Sequence, residues 1–138
     1  MVWIVFACGS AFFAGITAVL AKIGIEHVNS TLATALRTVV VLAFSWLMVF
    51  VVGSQNTIGQ TTGGTLLFLV LSGLSTGASW LCYFKALQLG DVSRVAPLDK
   101  LSVPLAMLLG VLVLGEPCDP KTVAGGILIT AGALLLVL

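Results

Sequence analysis

Apolar residues run along this chain in long unbroken stretches, without the strict alternation that marks a half-buried strand. Five such stretches, at roughly 2–21, 33–52, 64–84, 96–115 and 121–138, are separated by short segments that hold most of the polar residues. A hydrocarbon core about 30 Å thick, crossed at about 1.5 Å per residue, takes about 20 apolar residues. Each stretch therefore has about the reach of a membrane-spanning helix. The start of the second lies between Thr31 and Arg37. Continuous runs favour helices over a β-barrel, whose strands alternate. The pattern predicts an all-α fold: a polytopic membrane protein, a single domain over 1–138 built as a bundle of five transmembrane helices.

Composition sharpens this. Of the 138 residues 59% are hydrophobic and only 8% charged, and the mean hydropathy is +1.22. A soluble domain carries about 25% charged residues, so an ordinary cytosolic enzyme is excluded. The formal net charge of +1 supplies no basic footprint for nucleic acid. Five spans leave no connection long enough for a folded soluble domain. The first stretch is read as a retained helix rather than a secretory signal, because it has no Lys or Arg before its apolar run and continues past Gly9 and Ser10 to Leu20. Cys8, after Val5, Phe6 and Ala7, does not make a convincing lipoprotein cleavage site either. The three cysteines, Cys8, Cys82 and Cys118, share no short spacing and read as small apolar fillers. With His27 as the single histidine, neither a metal site nor a nucleophile–base pair assembles, so no cofactor and no enzymatic activity are expected.

Charge in the connections sets orientation. The first holds Lys22 and Arg37 and the third Lys85 and Arg94, while the second, from Gly53 to Gly63, is uncharged and reads as a flexible polar loop. The fourth holds Lys121 beside Glu116 and Asp119. Positive residues thus favour the first and third connections by four to one. The positive-inside rule makes that face cytoplasmic, with the N-terminus outside and the C-terminus inside a cell (inner or plasma) membrane.

Between lipid-solvated helices, small residues at i, i+4 spacing let backbones approach. Ala11 and Gly15 in the first span, Gly73 and Gly77 in the third and Gly126 in the fifth are the expected packing positions. They point to a compact bundle that also assembles with another copy.

A few polar residues lie at membrane depth, where ionisable groups mark substrate or proton paths. Asp99 and Lys100 fall where the fourth stretch begins. With Pro97 at a first helical position, Asp99 sits in the first turn, near the positive end of the helix dipole. Neighbours on a helix point about 100° apart, so their partners are expected on other helices, Arg37 and Lys85 being the candidates. Both readings of the pair stand: a helix start with a lysine reaching the interface, or groups facing a water-filled cavity. Pro104, a turn further in, is the candidate hinge. Trp80, Tyr83 and Phe84 read as an interfacial aromatic belt, with Trp80 and Tyr83 lining a cavity as the alternative. Glu116 ends the fourth span in water or, with Asp99, is a candidate for proton coupling.

The block Ala86-Leu-Gln-Leu-Gly-Asp-Val-Ser-Arg-Val-Ala-Pro-Leu98, followed by an apolar helix ending Leu114-Gly-Glu116, resembles the EamA domain of the drug/metabolite transporter superfamily. So do the close, Lys121-Thr-Val-Ala-Gly-Gly-Ile-Leu-Ile-Thr-Ala-Gly132, and the opening, a small-residue helix leading to Lys22 and Arg37. Members commonly carry two inverted five-helix repeats, and this chain resembles the half-length members with one. The resemblance implies a dimer, of two copies or with an oppositely oriented paralogue, enclosing a central cavity to which the third and fourth helices contribute. By position it makes Ser79, Trp80, Tyr83, Asp99, Lys100 and Ser102 the substrate-cavity candidates. Many relatives carry apolar or small residues where this chain has Asp99-Lys100. The expected function is transport of a small metabolite or amphipathic compound by alternating access. The competing expectation is a small membrane subunit that binds a larger partner and carries nothing.

Overall fold

The structure is a computed structural model and describes residues 1–138. Its elements are α1 (Val2–Gly24), α2 (Ser30–Val52), a 3-10 helix (Ser54–Gln60), α3 (Gly63–Leu89), α4 (Val92–Asp99), α5 (Ser102–Leu114) and α6 (Pro120–Leu135). There is no strand. The protein is an all-α, multi-pass membrane protein. α1, α2, α3 and the span Val92–Leu114 are each long and apolar enough to cross a bilayer, and α6 is a shorter apolar helix. Of the most apolar part of α1 6% is buried by the chain, and of those of α2 and α3 none. Such faces are suited to lipid chains or another protein.

Helix ends follow local chemistry. The Asn29 side chain accepts the N–H groups of Thr31 and Leu32 at 2.9 and 3.4 Å, which starts α2 at Ser30, earlier than the apolar run itself begins. α2 stops at Gly53, whose φ of +78° is open to glycine without strain, and its N–H returns to the Phe50 carbonyl at 3.2 Å. The following segment is not the flexible loop expected from its composition. It forms a 3-10 helix against α2, because short hydroxyl side chains close bonds with nearby backbone, as Thr57 does with the Ser54 carbonyl at 2.7 Å.

The fourth span departs most from expectation. Its helix starts at Val92 rather than near 96, so Pro97 lies inside α4, and Asp99 closes that helix instead of standing in its first turn. The helix then breaks at Lys100 and Leu101. Here the N–H groups of Lys100, Leu101 and Val103 reach carbonyls three residues back, those of Pro97, Leu98 and Lys100, at 3.0, 3.0 and 2.9 Å. Pro104 explains the tightening. It has no N–H for the Lys100 carbonyl, and its ring would collide with that oxygen in a regular helix. Val103 supplies the bond in its place and so leaves the Asp99 carbonyl without its helical donor.

The chain forms two compact units, Met1–Leu20 with Leu89–Leu138, and Ala21–Gln88. In the first, α4 and α5 both pack on α6. It buries only small residues, Ala18, Gly110, Gly126 and Ala133, as expected where backbones approach through lipid. A Cβ at Gly126 would stand 3.6 Å from Met107 Cε and 3.9 Å from Pro104 Cβ, in ordinary contact with α5. By contrast, a Cβ at Gly15, Gly73 or Gly77 would meet nothing within 4 Å, and Ala11 is exposed. Those stripes are open within this chain. The second unit buries Ile25, Ser30, Thr34, Phe84 and Leu87.

Replacing Asn29 with Ala is expected to lower stability by about 1 kcal/mol, with Asn29→Asp retaining most of it. Thermal unfolding of the three proteins in one detergent checks this.

Candidate functional site

In the first unit the candidates gather at the break. Lys100 Nζ lies 3.3 Å from Asp99 Oδ2, so the two neighbours pair with each other. Adjacent side chains can meet here because the chain leaves helical geometry at this point and the lysine stem is long enough to turn back. The side chains are 55% and 36% exposed, which makes the pair weak, worth about 0–1 kcal/mol. Lys100 also lines an apolar recess of about 360 Å³ with Pro97, Val103, Leu128 and Gly132. Ser102 is exposed in the first turn of α5. Glu116 is exposed as well, yet its carboxylate folds back over α5: a Cβ added at Gly110 would come within 2.7 Å of Glu116 Oε2. A second, larger groove of about 530 Å³ runs between α5 and α6, lined by Pro104, Met107, Val111, Cys118, Gly126 and Thr130 among others.

In the second unit, Ser30, Thr34 and Arg37 share one face of α2, at i, i+4 and i+7, and Trp80, Phe84 and Leu87 share one face of α3 at the same spacing. The faces meet through Arg37. Its guanidinium carbon lies 4.4 Å from the Trp80 ring centroid and 5.3 Å from that of Phe84, within the range of a cation–π contact. Tyr83 stands edge-on to Phe84 at 6.2 Å. Ser79, one residue before Trp80, is exposed.

The other two cations of this unit are committed to backbone or amide groups. Lys22 Nζ donates to the Leu87 carbonyl at 2.7 Å, satisfying a carbonyl near the C-terminal, negative end of α3. Lys85 donates to Gln88 Oε1 at 3.1 Å, and Gln88 Nε2 in turn donates to the Val28 carbonyl at 3.0 Å and to that of Ile25 at 3.5 Å. The hydroxyls of Thr34 and Thr38 bond the carbonyls of Ser30 and Thr34, at 2.8 and 2.7 Å, and so satisfy themselves within α2.

Reading the sequence singled out Trp80, Tyr83 and Phe84 but missed Gln88, and it gave Arg37 only the part of a candidate partner for Asp99 and Lys100. The repeated i, i+4, i+7 spacing on both helices was the available signal.

Over its whole length, residues 1–138, the chain matches the EamA-like transporter family. It belongs to that family. It is also similar to a Sinorhizobium sp protein named "Uncharacterized transporter in cobO 3'region", with 51% identity over 134 residues that cover 97% of this chain and 95% of the relative. No solved structure matches. As an EamA-like protein the chain is a membrane transporter, and the half-length form fits its 138 residues.

Two substitutions separate the polar contacts by strength. Asp99→Asn is expected to change stability by less than about 1 kcal/mol, because the Lys100 pair is exposed. Lys22→Met is expected to cost about 1.5–3 kcal/mol, because it removes a charged donor from a part-buried carbonyl. Unfolding in detergent, read by circular dichroism, ranks the two.

Proposed function

We propose that this EamA-like chain is a half-size carrier working as a dimer, either of two copies or with an oppositely oriented paralogue, and that it moves a small metabolite or amphipathic compound by alternating access. The observation that supports it is the interruption of the fourth span at Lys100–Leu101. Irregular backbone at membrane depth is tolerated only where protein or water covers it. Broken helices recur where carriers bind their cargo, with half-helix ends directed at charged groups. Here the break brings together the unsupported Asp99 carbonyl, the Asp99 carboxylate, the Lys100 ammonium and, at the start of the next half, Ser102.

In this reading the chain is one domain whose single repeat makes half of a central cavity. Pro104 is the hinge, and Asp99 carries the coupling ion or proton. Ser79, Trp80 and Tyr83 contribute from α3. Glu116, held over Gly110 at the end of α5, is the second coupling candidate. The open stripes at Gly15, Gly73 and Gly77 provide surfaces for the second copy. The four-to-one bias of positive residues supports an N-terminus outside and a C-terminus inside the cell membrane.

Pro104→Ala restores an N–H for the Lys100 carbonyl and is expected to regularise the span. Uptake by proteoliposomes of the purified chain should then fall by about an order of magnitude, with the protein still folded. Unchanged uptake removes the hinge role, and no uptake by the unaltered chain under any gradient defeats a carrier made of two copies of this chain. Reporters fused to the C-terminus, one active only inside and one only outside, distinguish the dimers. Signal from the inside reporter alone is the expected result, and signal from both means an inverted pair of identical chains.

A further inference from the structure

We propose that Arg37 is the recognition residue for the transported solute, and that this solute is a small organic anion presenting a carboxylate. The assignment deepens the carrier reading above and rests on it.

Within Ala21–Gln88, Arg37 is the cation whose donors are unused. A guanidinium carries five N–H donors, yet the groups around this one are ring faces, which attract its charge and accept no conventional hydrogen bond. Its contacts are those with Trp80 and Phe84. The ion pair of the chain is elsewhere, between Lys100 and Asp99. Position adds to this. Arg37 stands seven residues beyond the start of α2, about 10 Å along the helix axis, and is half-buried. A charge at that depth without an anionic partner is costly, and a bound anion removes the cost.

Charge and free donors then favour an anion. Within Ala21–Gln88 there are three cations, Lys22, Arg37 and Lys85, against one acid, Glu26. Lys22 donates to the Leu87 carbonyl and Lys85 to Gln88. Those partners are neutral, so the unit keeps an excess of positive charge, and Arg37 is its cation with open donors. A carboxylate also fits the guanidinium fork, which can grip both of its oxygens. The two rings add preorganisation, since Arg37 cannot swing away without losing both contacts, and their remaining apolar surface suits the carbon skeleton of the solute.

The test uses the full chain in detergent, with Trp3→Phe and Trp46→Phe making Trp80 the sole indole beside the arginine. Benzoate and phenylacetate, at about pH 7 where carboxylic acids are ionised, are titrated against Trp80 fluorescence, with benzamide and tetraphenylphosphonium as neutral and cationic controls. Saturable binding of the carboxylates alone is expected. It should weaken about tenfold or more in Arg37→Lys, which keeps the charge but loses the fork, and vanish in Arg37→Gln. Thermal unfolding of Arg37→Lys guards against a folding defect.

Absence of saturable carboxylate binding, equal binding by Arg37→Gln, or equal binding of tetraphenylphosphonium overturns the assignment. Proteoliposome flux separates the two levels of the argument. Uptake of the cation or the amide without carboxylate binding defeats the anion site and leaves the carrier. Arg37-dependent carboxylate binding with no flux of any probe keeps the anion site and defeats a carrier made of two copies of this chain.

Discussion

Hydrocarbon contains no hydrogen-bond partner, so a chain crossing a bilayer must satisfy its own backbone polar groups. Most of this molecule obeys that constraint by forming long helices, and the hydroxyls along them comply too: Thr34, Thr38, Ser45, Thr76 and Thr130 each bond the carbonyl four residues back. A hydroxyl that turns onto its own helix is no evidence of a polar cavity. Polar groups that are not satisfied in this way carry more information, and two of them stand out.

One of them is the break in the fourth span. Pro104 deprives the Lys100 carbonyl of its donor, Val103 compensates, and the Asp99 carbonyl is left over. The two charged side chains at the same place are paired across adjacent residues and well exposed, so they neither lock the span nor hold it to a neighbour. A local defect in hydrogen bonding thus coincides with ionisable groups in a transporter of the EamA-like family. The other is Arg37, held by rings that satisfy its charge in part and its donors not at all.

The two units are held together internally by different means. In Met1–Leu20 with Leu89–Leu138 the buried residues are alanines and glycines, and stability comes from close helix approach. In Ala21–Gln88 the helix ends are tied by long polar side chains: Lys22 to the Leu87 carbonyl, and Gln88 to those of Ile25 and Val28. Such ties hold near the ends of helices, where backbone groups lack intrahelical partners.

What the sequence determined by itself was whatever depends on solvent and on chain-local chemistry. Uniform apolarity fixes the membrane and the all-helical class because no other open-ended backbone survives in lipid. Asn29, Gly53 and Pro104 act on their own neighbours, so caps and the break lie within reach of local rules, although the register of the fourth span was misjudged by placing Pro97 first. Tertiary structure alone decided which side chains meet. In a chain apolar on every side, periodicity does not say which face turns inward, and lipid rewards none over another. That Lys100 turns back to Asp99, that Lys22 and Gln88 tie helix ends, and that Arg37 settles between Trp80 and Phe84 follow from contacts across as many as 65 residues of sequence, where no local rule operates.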